Sequence, residues 1–317
     1  MKRFQIFVLL LSAAATVMTG CDKRSVEQGG EGGMKYQVHF ACQALVKNPE
    51  ADSKVTGENF DEGDVVGIYS YPSDEAMFGT GEFTHGNVPY VYQAEGELLA
   101  QDGWTPIYFP LDESLPLTFI SYYPYTDALS ADGVLQVDLA DQTKGPAQAI
   151  LYSNNAQRIT RTAEYVKLEY RYLMAQVIVN ITFDDADIPN ANMKDITSVV
   201  FNGTGMQNVA DFHVEDGSLV TTSGVESLQG YQMAPGLERT VATVLPQSVA
   251  DPTITVVTPY HTFVAQPKAI TYEAGLQYTY NLTLRSGGEV VIGNTTIEEW
   301  VPGNSGMPPI IGEPEIE

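Results

Sequence analysis

Positive charge is scarce in this chain of 317 residues, with 16 Lys and Arg against 40 Asp and Glu and a formal net charge of −24. Binding to nucleic acid or to an anionic bilayer surface needs a basic patch that releases counterions, and this composition argues against one. No nucleic acid is expected as a partner, and the acidic surface suits a well-solvated extracellular protein. Cysteine is scarcer still, with Cys21 and Cys42 the two in the chain. Without disulfide staples, stability must come from a packed core, for which 44% hydrophobic residues provide the material. Histidine occurs only at His39, His85, His213 and His261, each isolated. His39 and Cys42 lie three positions apart, which on a strand points them to opposite faces. They are not expected to form a dyad, and Cys42 reads as a small core residue.

Catalytic and cofactor signatures are missing too. The sequence contains no GxGxxG fingerprint, P-loop, GxSxG elbow, SxxK or HExxH. The acidic run Asp184-Asp185-Ala186-Asp187 fails as a calcium loop of the EF-hand kind. Read from Asp185, it puts Pro189 at the fifth position, Asn190 where the turn needs glycine, and Ile196 where a bidentate Glu belongs. It reads as a solvated turn. No catalytic residue, metal or cofactor is assigned, and the chain is read as a non-enzyme.

What is present begins at the N-terminus. Residues 1–20 read as a signal peptide: Lys2 and Arg3, then an apolar stretch over 4–15, roughly a dozen residues and too short to span a bilayer. Met18-Thr19-Gly20-Cys21 matches the bacterial lipobox, with cleavage between Gly20 and Cys21 and acyl chains on Cys21. More than one acyl chain on a single residue is enough for stable anchoring. The expected location is the outer membrane of a Gram-negative cell, surface-exposed, with membrane contact only through the lipid on Cys21. Residues 21–34 carry four glycines in "DKRSVEQGGEGGM" and read as a flexible tether with a reach of roughly 20 Å.

The rest is β-rich. Short alternating segments such as 35–46, 64–70 and 117–123 recur between Gly, Pro, Asn and Asp clusters, and long helical periodicity is missing. About fifteen candidate strands exceed one small sandwich and suggest two in tandem. The division expected is 35–160 and 161–300, with a tail over 301–317 and the seam in the polar stretch 154–163. In 164–183 the apolar set runs on even positions through Val166, Leu168, Tyr170 and Tyr172, then on odd ones through Val177, Val179, Ile181 and Phe183. The inward face therefore switches, as where a bulge or bend near Leu173 and Met174 carries a strand from one sheet to another. Aromatics such as Tyr122-Tyr123 and Tyr69 with Tyr71 read as core and sheet packing. A carbohydrate-binding lipoprotein of a nutrient-uptake system is the alternative they leave open.

Several motifs in order resemble a known family. They are "NFDEGDVVGIYSY" at 59–71, "WTPIYFPLDESLPLTFISYYPY" at 104–125, "VKLEYRYLMAQVIVNITF" at 166–183, "YTYNLTL" at 278–284 and "IEEWVPG" at 297–303. With the lipobox before them, they resemble the fimbrillins, the Mfa-like branch of the Bacteroidales type V pilins. The resemblance implies an all-β fold of two tandem transthyretin-like β-sandwiches of Greek-key type. It also implies export as a lipoprotein and assembly into adhesive fimbriae. In stalk members a trypsin-like, often arginine-specific protease cuts after the first strand, and a neighbour's C-terminal strand fills the groove by strand addition. The implied partners are other fimbrial subunits or further copies of this chain, and a receptor on a host or bacterial surface. Here the sequence departs from the pattern: no arginine lies between Arg24 and Arg158. A cut at Arg24 would release the lipid and leave the first strand in place, whereas Lys47 and Lys54 follow that strand. A lysine-accepting cut, an uncut anchored base subunit and a monomeric adhesin are all left open. The donor-strand candidates are Val290, Val291, Ile292, Ile297 and Trp300.

Overall fold

The structure is a computed structural model, and it describes residues 26–28, 34–43, 60, 62–93, 96–142, 149–188, 190, 193–223, 227–232 and 238–300. The expected lipobox with Gly20 and Cys21, the residues Arg24, Lys47 and Lys54, and the tail 301–317 lie outside the described residues.

The fold is all-β, with sheets arranged as in a sandwich. Its N-terminal half is organised by an eight-stranded sheet. The order across it is Val166–Glu169, Phe40–Gln43, Glu97–Ala100, His85–Tyr92, Val65–Pro72, Leu117–Tyr123, Leu151–Ser153 and Arg171–Tyr172. The two outermost strands follow one another in the chain, separated by Tyr170 alone. A flat sheet of this width cannot have edges one residue apart, so the sheet curls back on itself. The space it encloses is filled by Phe40, Tyr90, Phe119, Leu168 and Tyr170, all buried. Phe60 sits among the rings of Tyr92, Tyr123 and Tyr170 at centroid distances of 5.5, 5.1 and 5.1 Å.

The opposite face of this sheet is buried as well. Along Leu117–Tyr123, Leu117 and Phe119 face the enclosed core, while Ile120 and Tyr122 join a second core shared with the C-terminal half. That strand is accordingly buried on both faces from Leu117 to Tyr122 rather than in alternation, with Thr118 and Ser121 buried among the apolar residues. Tyr122 and Tyr152 meet Phe212 at 5.8 and 6.2 Å, tying the halves together. Val134–Asp138 crosses over to pair with Val209–His213.

The C-terminal half is built on Ala175–Phe183 and Leu276–Leu284, paired in parallel from Gln176↔Gln277 to Phe183↔Leu284. Arg239–Val244 and then Tyr231–Gln232 extend the sheet on one side. Val290–Ile292 and Thr296–Glu299 both pair with Leu276–Leu284 on the other. A four-stranded sheet runs in the order Ser227–Gln229, Ser198–Asn202, Thr253–Val257, Thr262–Ala265. Val177, Val179, Ile181, Val199, Phe201, Ile254, Tyr278 and Tyr280 belong to one core.

The switch of face expected near Leu173 and Met174 coincides with a change of sheet. Arg171–Tyr172 pairs with Leu151–Ser153, whereas Ala175–Phe183 pairs in the C-terminal sheet. Sheet membership thus changes there and not near residue 160. The stretch 154–163, expected as a seam, instead lies along the first sheet. Leu117 N donates to Ile159 O and Ile159 N to Leu117 O, each at 2.8 Å, and Phe119 N donates to Ala156 O. Its polar side chains mark an exposed rim whose backbone is paired.

Gly67 sits in a central strand where a Cβ would overlap the Tyr122 ring and lie 2.6 Å from Asn87 Oδ1. Tyr122 cannot retreat easily, because its hydroxyl donates to Asn87 Oδ1 at 2.8 Å and packing holds its ring. Gly67→Ala is therefore expected to destabilise the fold by about 1–3 kcal/mol through overpacking. A thermal melt read by circular dichroism checks this, and an unchanged midpoint would contradict it.

Candidate strand-exchange groove

The N-terminal segment 34–43 is bound from several directions. Phe40–Gln43 runs antiparallel to Glu97–Ala100 on one side and parallel to Val166–Glu169 on the other. Met34–Gln37 pairs with Tyr108–Phe109, and Val38 N donates to Ile107 O at 2.9 Å. Val166 N donates to His39 O at 2.8 Å. Val38 and Phe40 are 1% and 0% exposed. The Phe40 ring meets Tyr90 and Phe119 edge-on at 5.0 and 5.2 Å. Without this segment, two flanking strands would face each other across a slot with unpaired N–H and C=O groups on both walls. Tyr90, Leu98, Phe119 and Leu168 would line its floor. Unpaired backbone groups and an exposed apolar surface are both unfavourable, so the slot demands a strand.

A side-chain clasp lies across the start of this segment. The Arg161 guanidinium stacks over the Tyr36 ring at 4.0 Å and ion-pairs with Glu113. The Arg161 side chain is largely buried while Glu113 is exposed, so the ring contact is the better-shielded part of the clasp and the ion pair is partly screened. His39 lies against Tyr165, with ring centroids 6.0 Å apart. Cys42 is half-buried against the enclosed core, beside Leu168 in register, and burial pushes its thiol well above the ordinary range. A thiol held protonated is a poor nucleophile, which agrees with its reading as a small packing residue.

Several arginines downstream of Arg24 are occupied by partners. Arg158 ion-pairs with Asp74 at 2.7 Å. Arg171 lies 5.1 Å from the Tyr152 ring and donates to Asn154 Oδ1. Arg285 faces Asp184 at 3.4 Å and Glu289 at 3.6 Å. Among the described residues no group of three or more His, Cys, Asp or Glu could hold a metal, and no helix is long and apolar enough to cross a membrane.

The five donor-strand candidates lie at the opposite end of the chain and are placed on its own sheet. Val290–Ile292 pairs with the 282–284 end of Leu276–Leu284, and Thr296–Glu299 with the 276–279 end. Val290 and Ile292 pack on the C-terminal core, while Val291 and Ile297 are exposed. Trp300 is 2% exposed and stacks on Tyr172 at 3.9 Å with an interplanar angle of 6°. The Trp300 backbone N–H donates to Gly275 O at 2.7 Å. The structure does not bring this segment to the 34–43 groove.

The sequence reading missed Glu97–Ala100, a wall of the groove, because four residues are too few for alternation to register. It also missed the clasp of Arg161, Tyr36 and Glu113, which joins distant positions with no local signal.

The fold and groove together define an all-β protein in which Phe40–Gln43, preceded by the paired strands Val26–Gln28 and Met34–Gln37, is inserted between two others. The chain belongs to the fimbrillin-like family, whose profile matches residues 53–300. A Bacteroides uniformis protein named as a candidate fimbrium subunit, Fim1C, is 26% identical over 322 residues, covering 96% of this chain and 98% of that protein. The crystal structure of a candidate cell adhesion protein from Bacteroides uniformis superposes with a TM-score of 0.66 at 23% identity, covering 84% of this chain and 99% of that one. A corresponding structure from Bacteroides ovatus gives 0.65 at 21%, covering 84% and 98%. At these identities the two structures speak to the fold.

Two outcomes follow from the geometry. Phe40→Ala should cost about 3–5 kcal/mol by opening a cavity between Tyr90 and Phe119, measured by denaturant unfolding. Burial pushes the Tyr172 hydroxyl up to about 12, above its unfolded value of about 10. The stability it contributes is therefore complete below the unfolded value and is lost as pH rises through the folded one. The near-ultraviolet circular dichroism of Trp300 should fade in that alkaline window, and Tyr172→Phe should retain it to higher pH.

Proposed function

We propose that this chain is a fimbrial subunit with a role in cell adhesion, exported as a lipoprotein anchored through Cys21 to the outer membrane and assembled by strand addition. The observation that carries the reading is the placement of 34–43: an apolar segment near the N-terminus, paired on both sides and filling a slot that cannot stay empty. A family relative named as a candidate fimbrium subunit supports it. Two transthyretin-like sandwiches meeting near Leu173 and Met174 are the architecture that goes with this reading.

In this account cleavage after Lys47 or Lys54 severs 34–43 from the body of the protein and leaves it held by pairing and packing alone. A strand from another subunit then displaces it, supplying backbone hydrogen bonds to both walls and apolar side chains to the floor. The donor is the C-terminal segment of the incoming copy, with Val290, Val291, Ile292, Ile297 and Trp300 as its apolar positions. Release of that segment gives up the Trp300–Tyr172 stack, so exchange is driven only if the new groove contacts exceed the old ones. A cut at Arg24 has a different consequence: it frees the protein from its lipid and leaves the groove filled.

Protease choice separates these steps. With the purified full chain, a lysine-specific protease should cut at Lys47 or Lys54 and convert monomer to oligomer, seen by intact mass and size-exclusion chromatography. An arginine-specific protease should leave Arg158, Arg161, Arg171 and Arg285 uncut and the protein monomeric. A chain that stays monomeric after loss of residues 34–43 would contradict the strand-addition reading. An acylated Cys21 on an uncut chain in native fibres would assign it instead as an anchored base subunit.

A further inference from the structure

A cavity of about 360 Å³ opens far along the chain from the groove, lined by Ala140, Asp141, Gln142, Ser198, Gln229, Gly230 and Tyr231. Its origin is a strand crossing. Ser227–Gln229 pairs with Ser198–Asn202 in the four-stranded sheet, and Tyr231–Gln232 pairs with Arg239–Val244 in the six-stranded one. The chain changes sheets at Gly230, whose N–H donates to Val199 O at 2.8 Å. A Cβ there would overlap Thr240 and come within 2.7 Å of Phe201, so bare backbone forms this part of the wall.

The facing wall is fixed by Gln142. Its side-chain amide donates to Leu139 O at 2.7 Å and Thr243 O at 3.1 Å, and its oxygen accepts from Thr243 N at 2.9 Å. Gln142 thereby stands in for a neighbouring strand on the Arg239–Val244 edge. Two consequences follow. The wall is held rigidly before any ligand arrives, which lowers the ordering cost of binding. The backbone edge beside the cavity is also already paired at Thr243, so an added peptide strand finds no free partners there.

The lining chemistry narrows the ligand. A hydroxyl from Ser198, an amide from Gln229, a carboxylate from Asp141 and the ring and hydroxyl of Tyr231 surround the space. Among the described residues that line it there is no Lys, Arg or His. Short polar side chains beside one aromatic face suit a neutral polyhydroxylated molecule, whose hydroxyls exchange hydrogen bonds and whose C–H face lies on the ring. The volume falls at the small end of the ligand-pocket range of roughly 300–1,000 Å³. The geometry points to a saccharide-binding site for one or two neutral sugar rings at the Gly230 crossing.

The site stands apart from strand addition: assembly can succeed while sugar binding fails, and the reverse, so the two tests are independent. The test uses the full chain, saturation-transfer NMR and calorimetry. The probes are glucose, galactose, mannose, N-acetylglucosamine and lactose, with N-acetylneuraminic acid as the anionic arm. At least one neutral sugar should bind saturably. Gln229→Ala and Tyr231→Ala should each weaken it by about tenfold or more, as expected when a polar or stacking partner is lost. Gln229 is exposed, so its variant keeps the test valid if Tyr231→Ala fails to fold. Tyr260→Ala, an exposed aromatic elsewhere, should change nothing. The proposal is overturned if no neutral sugar saturates, if N-acetylneuraminic acid alone binds, or if Gln229→Ala binds as the unaltered chain does.

Discussion

The pairing of Phe40–Gln43 between Glu97–Ala100 and Val166–Glu169 is the interaction on which the N-terminal half depends. It closes the curled eight-stranded sheet and places Phe40 at the centre of the enclosed core, against Tyr90 and Phe119. Val166–Glu169 is an outer strand whose pairing in this sheet is with Phe40–Gln43. Two segments far apart in sequence therefore hold each other in place. Short-range forces cannot pre-form this closure, since the loop joining the partners must be ordered before their pairing repays it.

From that closure the rest follows by contact. Tyr170 lies fully inside, its hydroxyl 2.6 Å from Ser121 Oγ. Immediately after it the chain pairs as Arg171–Tyr172, bends at Leu173 and Met174, and enters the C-terminal core as Ala175–Phe183. Tyr172, at the turning point, receives the Trp300 ring from the other end of the described chain. Cys42 thus pairs beside Leu168, and Trp300 stacks on Tyr172, four residues further along the chain.

Much of the fold was legible because the pleat writes a period of two into the sequence. The change from even to odd apolar positions between Tyr172 and Val177 marked the change of sheet, since Val166 and Leu168 face one core while Val177 and Val179 face the other. What failed had a common cause. The polar stretch 154–163 looked like a linker because polarity reports exposure and not pairing, yet Ala156 and Ile159 are bonded to Phe119 and Leu117. Glu97–Ala100 was too short to register, and the Gln142 wall depends on positions about a hundred residues apart. The insertion of Phe40–Gln43 between Glu97–Ala100 and Val166–Glu169 could not be read locally, because strand order in a sheet has no local code.

Native-state hydrogen exchange measures the central claim directly, because it reads the pairing of each strand separately. Amides of 38–43 in the intact chain should exchange as slowly as those of Val65–Pro72 and Leu117–Tyr123, as an inserted strand bonded on both sides requires. Exchange of 38–43 at the rate of exposed loop amides, while those two strands stay protected, would show that the segment does not complete the sheet.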